Sequence, residues 1–285
     1  MQLRLLLILV IALVSVSSTA LVIRYVVAVP ALTLAFWRML TASGMLWSYE
    51  LIKKQTPLSN VNKKRIVFAG FFLGLHFVCF FLGVRYTSIA NATLLATLGP
   101  LFTSIISFFQ GKKTSPLVYL GLGIALTGII IIQYKDLSLS PENLLGNSLS
   151  LLSSLFIAIT FITAAEIRKN TDNIVYGRSL FFVASITIGA IAIIMGDSLF
   201  KFEKSHIIWL LFLGFVPSIL GHNMLNYALK YFSPTAVASV PLGEPIIASI
   251  FGFFIFKEAI PPGALISAPI ILCGVFLVLK NQNTS

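Results

Sequence analysis

The chain has 285 residues, 58% hydrophobic and 10% charged, with a formal net charge of +11. Long uncharged runs leave almost no chain for a water-facing body, which excludes an ordinary soluble domain and reads as a membrane protein. The longest basic loop, 50–65, lacks the aromatic interleaving of a nucleic-acid surface, so no nucleic-acid partner is expected.

In chain order, the apolar run after Arg4 predicts a first transmembrane helix at 3–23. Pro30 opens a second at 30–49, interrupted by Arg38. After loop 50–65 come helices at 66–84, with His76 and Cys79, at 88–110, with Thr93, Thr97 and Pro100, and at 115–134. The polar stretch 135–145, with Asp136, Pro141 and Glu142, is a break. Beyond it helices are expected at 146–166, at 176–196 and at 206–228, the last carrying Ser218, His222, Asn223 and Asn226. The last two are 234–256, interrupted by Glu244, and 261–280. Eight of these ten coincide with uncharged runs of at least 18 residues, enough to cross a hydrocarbon core. Cys79 and Cys273 have no ligand-like spacing and read as small buried hydrophobes.

With the N-terminus placed inside, thirteen Lys and Arg fall on one side and six on the other, Arg38 lying within a span. That is the positive-inside bias, and it puts both termini of a multi-pass cell-membrane protein in the cytoplasm.

Two segments echo each other at a constant offset of 145: YTSIANATLLATLGP at 86–100 and YFSPTAVASVPLGEP at 231–245. Tyr86, Ser88 and Pro100 match Tyr231, Ser233 and Pro245. Upstream, STALVIR at 18–24 echoes ITAAEIR at 162–168. The first segment also resembles a cleavable signal peptide, with small residues from Ser15 to Ala20. Cleavage there would delete the counterpart of the sixth helix, so the segment is expected to be retained. Five spans per half is an odd number. The second half therefore enters the membrane upside down relative to the first, the inverted-repeat plan of alternating-access carriers. The expected architecture is an all-α membrane protein of ten transmembrane helices in two inverted five-helix repeats, 1–134 and 146–285.

These residues carry a specific likeness. The chain resembles the EamA-type transporters of the drug/metabolite transporter superfamily. The resemblance rests on the ten-helix plan, on Pro30 followed by an Arg-containing helix, on Pro100, on PLGEPIIASIFGFFIFKE at 241–258, and on Gly128 and Gly274. One departure is that the terminal acid kept at Glu258 is Lys113 in the first half, so the two ends are not equivalent. The resemblance implies an inner-membrane carrier, commonly an exporter of amino acids or other small metabolites.

A charged side chain near the bilayer centre costs about 2.5–3.5 kcal/mol on insertion scales, so it needs a partner, water or a function. At a rise of roughly 1.5 Å per residue, Glu244 and His76 lie about 15 Å from the inner ends of their helices. Arg38 lies about 12 Å from the outer end of its own, so the three share a level near the midplane, where such carriers hold cargo. Glu244 stands between Pro241 and Pro245, each of which frees a carbonyl four residues back, at Val237 and Pro241. A carboxyl beside unpaired carbonyls suits a proton, a cation or an amine. A structural ion pair with Arg38 explains it as well. Arg38 suits a cargo carboxylate through its planar fork, or an anchoring role. His76 suits proton relay or packing. Ser218, His222 and Asn226 recur every four residues and should share a face with Asn223 nearby, as pathway lining or as interhelical hydrogen bonds. Thr93 and Thr97 share a face leading to Pro100, as cavity lining or as close packing.

The expected substrate site is thus Glu244, Arg38, His76, His222, Asn223, Asn226, Thr93 and Thr97, with no metal or cofactor. The expected function is secondary transport of a small metabolite such as an amino acid, an amine or an organic acid, with a proton as coupling ion. No nucleotide-binding loop is present, which argues against a primary pump. The alternatives are a channel, disfavoured by sparse polar positions, and an intramembrane enzyme, disfavoured because no catalytic pair occurs and no Asp lies within a span.

Overall fold

Apolar chain in lipid has no water to bond, so its backbone must satisfy itself within helices. The computed structural model describes residues 3–55, 57–133, 140–251, 253–254 and 262–282, and every regular element among them is helical. They are α1 (Leu3–Tyr25), α2 (Ala31–Ile52), α3 (Asn60–Tyr86), α4 (Ile89–Ala96), α5 (Gly99–Phe109), α6 (Pro116–Gln133), α7 (Leu144–Arg168) and α8 (Asn173–Ile194). Then follow α9 (Ile207–Leu213), a π-helical segment (Gly214–His222), α10 (Asn223–Ala228), α11 (Pro234–Ser239), a 3₁₀ turn (Val240–Gly243), α12 (Glu244–Phe251) and α13 (Pro262–Asn281). Six continuous helical stretches are long and apolar enough to cross a membrane, and two shorter apolar helices, 116–131 and 265–281, accompany them.

The echo between 86–100 and 231–245 has a local cause. Ser88 and Ser233 are both N-caps, accepting from the Asn91 and Ala236 amides at 3.1 and 3.3 Å. Pro100 and Pro245 each stand second in the helix that follows a break. Where single helices were expected over 88–110 and 234–256, the chain makes α4 then α5, and α11 then α12, because a proline lacks the N–H for the carbonyl four residues back and clashes with it. The α3 helix starts at Asn60 rather than 66, because Ser59 caps it through the Asn62 amide and the basic residues 63–65 project outward as its first exposed turns.

The third interruption is the π-helical segment around Pro217. The proline strands the Leu213 carbonyl, and the Ser218 hydroxyl donates to it at 2.8 Å. Bonding from i to i+5 turns less per residue than an α-helix, so Ser218 and His222 stay close to one face within the segment, while Asn226 lies beyond it in α10.

Packing pairs α3 with α7, α6 with α13, α2 with α8, and α1 with the π-helical segment and α10. The α6–α13 crossing depends on glycine. A Cβ on Gly274 would lie 2.5 Å from the Ala125 nitrogen and 2.5 Å from the Gly121 oxygen. Gly274→Val is expected to lose about 1–3 kcal/mol by forcing these helices apart, read as a fall in detergent-solubilised thermal stability. A variant as stable as the parent would mean the crossing yields freely.

Loops assigned to one side by charge do meet there. Asn62 donates to Asn170 Oδ1 at 2.6 Å and to Thr171 Oγ1 at 2.7 Å, Lys112 lies 3.9 Å from Glu166, and Arg178 pairs with Glu50. On the opposite side Arg85 donates to the Val26, Val27 and Val29 carbonyls, and Trp37 donates to Leu199.

Candidate functional site

The two helix breaks and the π-helical segment converge on one cavity of about 60 Å³. Its polar lining is Thr19 of α1, Arg38 of α2, His76 of α3, Thr97 in the α4–α5 break, His222, and Glu244 at the start of α12. Phe77 and Phe80 of α3 and Phe161 of α7 supply apolar walls. Five of the eight residues expected from sequence are therefore together: Glu244, Arg38, His76, His222 and Thr97.

Arg38 is 1% exposed and held on three sides. Its Nε donates to Ser218 Oγ at 2.9 Å, one terminal nitrogen to Thr19 Oγ1 at 3.2 Å and the other to the Pro217 carbonyl at 3.2 Å. Its guanidinium carbon lies 4.4 Å from the Phe77 ring centroid. Three of five N–H donors are used, and among the described residues the guanidinium makes no ion pair. The direct pair with Glu244 weighed from the sequence is not formed. The carboxyl instead faces the same cavity with no hydrogen-bond partner among the described residues.

The carbonyls expected to be free beside Glu244 are not free. The Val240 amide donates to Val237 O, and the Glu244 amide donates to Pro241 O. The 3₁₀ turn tightens the chain from i+4 to i+3 bonding and so recovers both acceptors. What the prolines achieve is a new helix start with Glu244 as its first residue, where a negative charge is favoured by the helix dipole.

His76 Nδ1 lies 2.8 Å from the Ser153 carbonyl. A carbonyl only accepts, so Nδ1 carries the proton and Nε2 remains an acceptor. The ring stacks on Phe80 at 6.1 Å and 4°, and His222 lies 6.1 Å away.

Three expected residues are elsewhere. Thr93 Oγ1 donates to Ile89 O at 2.7 Å, so it is bound to its own helix. Asn223 and Asn226 are buried below the cavity, their carbonyls accepting from Asn173 Nδ2 and Arg168 Nε. Conversely, Thr19 and Ser218 hold Arg38. Thr19 was legible within STALVIR, but its hydroxyl alone did not separate it from packing threonines. Glu258, the terminal acid of the family-like motif, lies outside the described residues.

The model of the EamA-like transporter family matches this chain twice, over residues 3–134 and 144–280. The chain belongs to the EamA-like transporter family. This transporter is 27% identical over 256 residues to the pseudopaline exporter CntI of Pseudomonas aeruginosa, covering 88% of this chain and 87% of that one. It is 23% identical over 255 residues to an uncharacterized transporter of Archaeoglobus fulgidus, covering 88% of both. A crystal structure of a protein 15% identical superposes with a TM-score of 0.81 over 98% of each chain, which shows a shared fold. The protein is a multi-pass membrane transporter, and its relatives are transporters rather than enzymes.

Proposed function

We propose that this transporter carries a small zwitterionic metabolite, of the amino-acid kind, out across the cell membrane by alternating access, with Glu244 exchanging a coupling proton. Two inverted five-helix halves, 1–134 and 146–285, rock about the central cavity, and both termini are cytoplasmic. The observation that carries this reading is the cavity itself: an unpaired carboxyl and a partly unused guanidinium face one small space. Glu244 takes the ammonium end or a proton, and Arg38 takes the carboxylate with its remaining donors. At about 60 Å³ the space is well below the roughly 300 Å³ that a bound small molecule needs, so the helices around it must part to admit cargo. Export is supported by the name of the pseudomonad relative.

Thermal stabilisation across a panel of amino acids, amines and small organic acids at two pH values tests the reading. A ligand at 100 times its Kd is expected to add about 2.7 kcal/mol to the native state. A pH-dependent hit that also drives saturable counterflow in proteoliposomes supports a carrier. Flux without saturation or counterflow overturns it in favour of a channel.

A further inference from the structure

Below the central cavity, on the face of loop 50–65, lies a second buried polar cluster that the transport site does not use. Arg168, the last residue of α7, is 3% exposed. It donates to the Thr171 carbonyl in the α7–α8 turn and, from Nε at 3.2 Å, to the Asn226 carbonyl on α10. Asn173 at the start of α8 donates to the Asn223 carbonyl at 2.9 Å. Tyr176 lies within electrostatic reach of Arg168 and is wholly buried, yet its hydroxyl has no hydrogen-bond partner among the described residues. The Asn223 side-chain oxygen, on a residue 5% exposed, has none either.

The position of this cluster defines its consequence. Asn223 follows His222, and Leu225 and His222 both line the cavity, so α10 is the floor. The Arg168 and Asn173 bonds tie that floor to the ends of α7 and α8. The matching arginine of the STALVIR echo, Arg24, is exposed, whereas Arg168 is buried. A closed latch normally satisfies its polar groups, because an orphaned buried donor or acceptor costs the desolvation it never recovers. Here three groups of the cluster, the Tyr176 hydroxyl and the side-chain oxygens of Asn173 and Asn223, have no hydrogen-bond partner among the described residues, and entering water or cargo would supply one.

The geometry points to this cluster as the gate on the loop 50–65 face: Arg168 is the residue that holds it shut, and Tyr176 and Asn223 are the groups that cargo or water contacts as it opens. The assignment rests on the alternating-access reading, but its test needs no transport. Leu225→Cys is made in a Cys79→Ala, Cys273→Ala background, and its reaction with a membrane-impermeant maleimide is timed from each face of oriented vesicles. Arg168→Gln is expected to raise labelling from the loop 50–65 face about tenfold, the weight of one charge-assisted hydrogen bond, and to lower it from the opposite face. Tyr176→Phe removes an orphaned hydroxyl from the closed state and its hydration from the open one, so it is expected to slow labelling from the loop 50–65 face severalfold. Equal rises from both faces in Arg168→Gln would mean general loosening and overturn the gate, as would unchanged labelling in both variants. Labelling that follows the expected pattern in a protein showing no counterflow would leave the gate standing and remove the carrier function.

Discussion

Glu244→Gln is expected to lower saturable counterflow by about one to two orders of magnitude and to abolish its dependence on pH. A hydrogen bond to a charged group contributes about 1.5–3 kcal/mol, and each 1.4 kcal/mol is roughly tenfold in affinity. The amide is isosteric with the carboxyl, so shape is kept while both the charge and the exchangeable proton are lost. Glu244 makes no contact within ion-pair distance among the described residues, but its carboxyl shares the cavity with the buried Arg38 guanidinium. Removing that charge leaves the buried cation uncompensated, so thermal stability of the unliganded variant is expected to fall, and melting curves separate this loss from the loss of transport. Initial rates at two pH values, with melting curves on the same preparations, check it. Wild-type rates with an unchanged pH profile would remove Glu244 from the mechanism.

Arg38→Lys has the second-largest expected effect, and it acts on two quantities at once. The guanidinium joins α1 through Thr19, the π-helical segment through Ser218 and Pro217, and α3 through the Phe77 ring. An ammonium cannot reproduce the planar fork or the stacking. At about 1 kcal/mol for each hydrogen bond lost, stability should fall by about 2 kcal/mol. Affinity for a carboxylate-bearing cargo should fall about tenfold beyond that, because the two unused donors are also lost. The two effects are separable by measuring the melting temperature without ligand and the Kd of the stabilising metabolite. Reduced stability with unchanged affinity would make Arg38 an anchor only.

Hydropathy marked the chain as membrane-spanning and helical, because backbone in lipid must be helical and about 20 apolar residues are needed to cross; of the ten expected spans, six described helices are long and apolar enough to do so. The Ser88–Ser233 and Pro100–Pro245 correspondences were equally legible, since capping serines and helix-starting prolines act locally on a few neighbouring residues. Depth counting along straight helices was enough to bring Arg38, His76 and Glu244 to one level, and the cavity contains all three.

Partners across helices were not legible. Nothing in the spacing of Thr19, Ser218 and Pro217 reveals that all three hold one guanidinium, because each lies at least 19 residues from Arg38 along the chain. The π-helical segment was equally hidden, since its cause is Pro217 in combination with a serine hydroxyl that replaces the missing amide. Thus the sequence by itself determined that the chain is a membrane-spanning helical protein with two matching helix-break-helix segments and ionisable groups at mid-depth. Only the tertiary structure decided which of those groups share a cavity, that Arg38 is held by hydroxyls and a carbonyl rather than by Glu244, and that Arg168 is buried where Arg24 is exposed. The first set follows from local backbone chemistry and hydropathy, whereas the second depends on contacts between helices that hydropathy cannot rank.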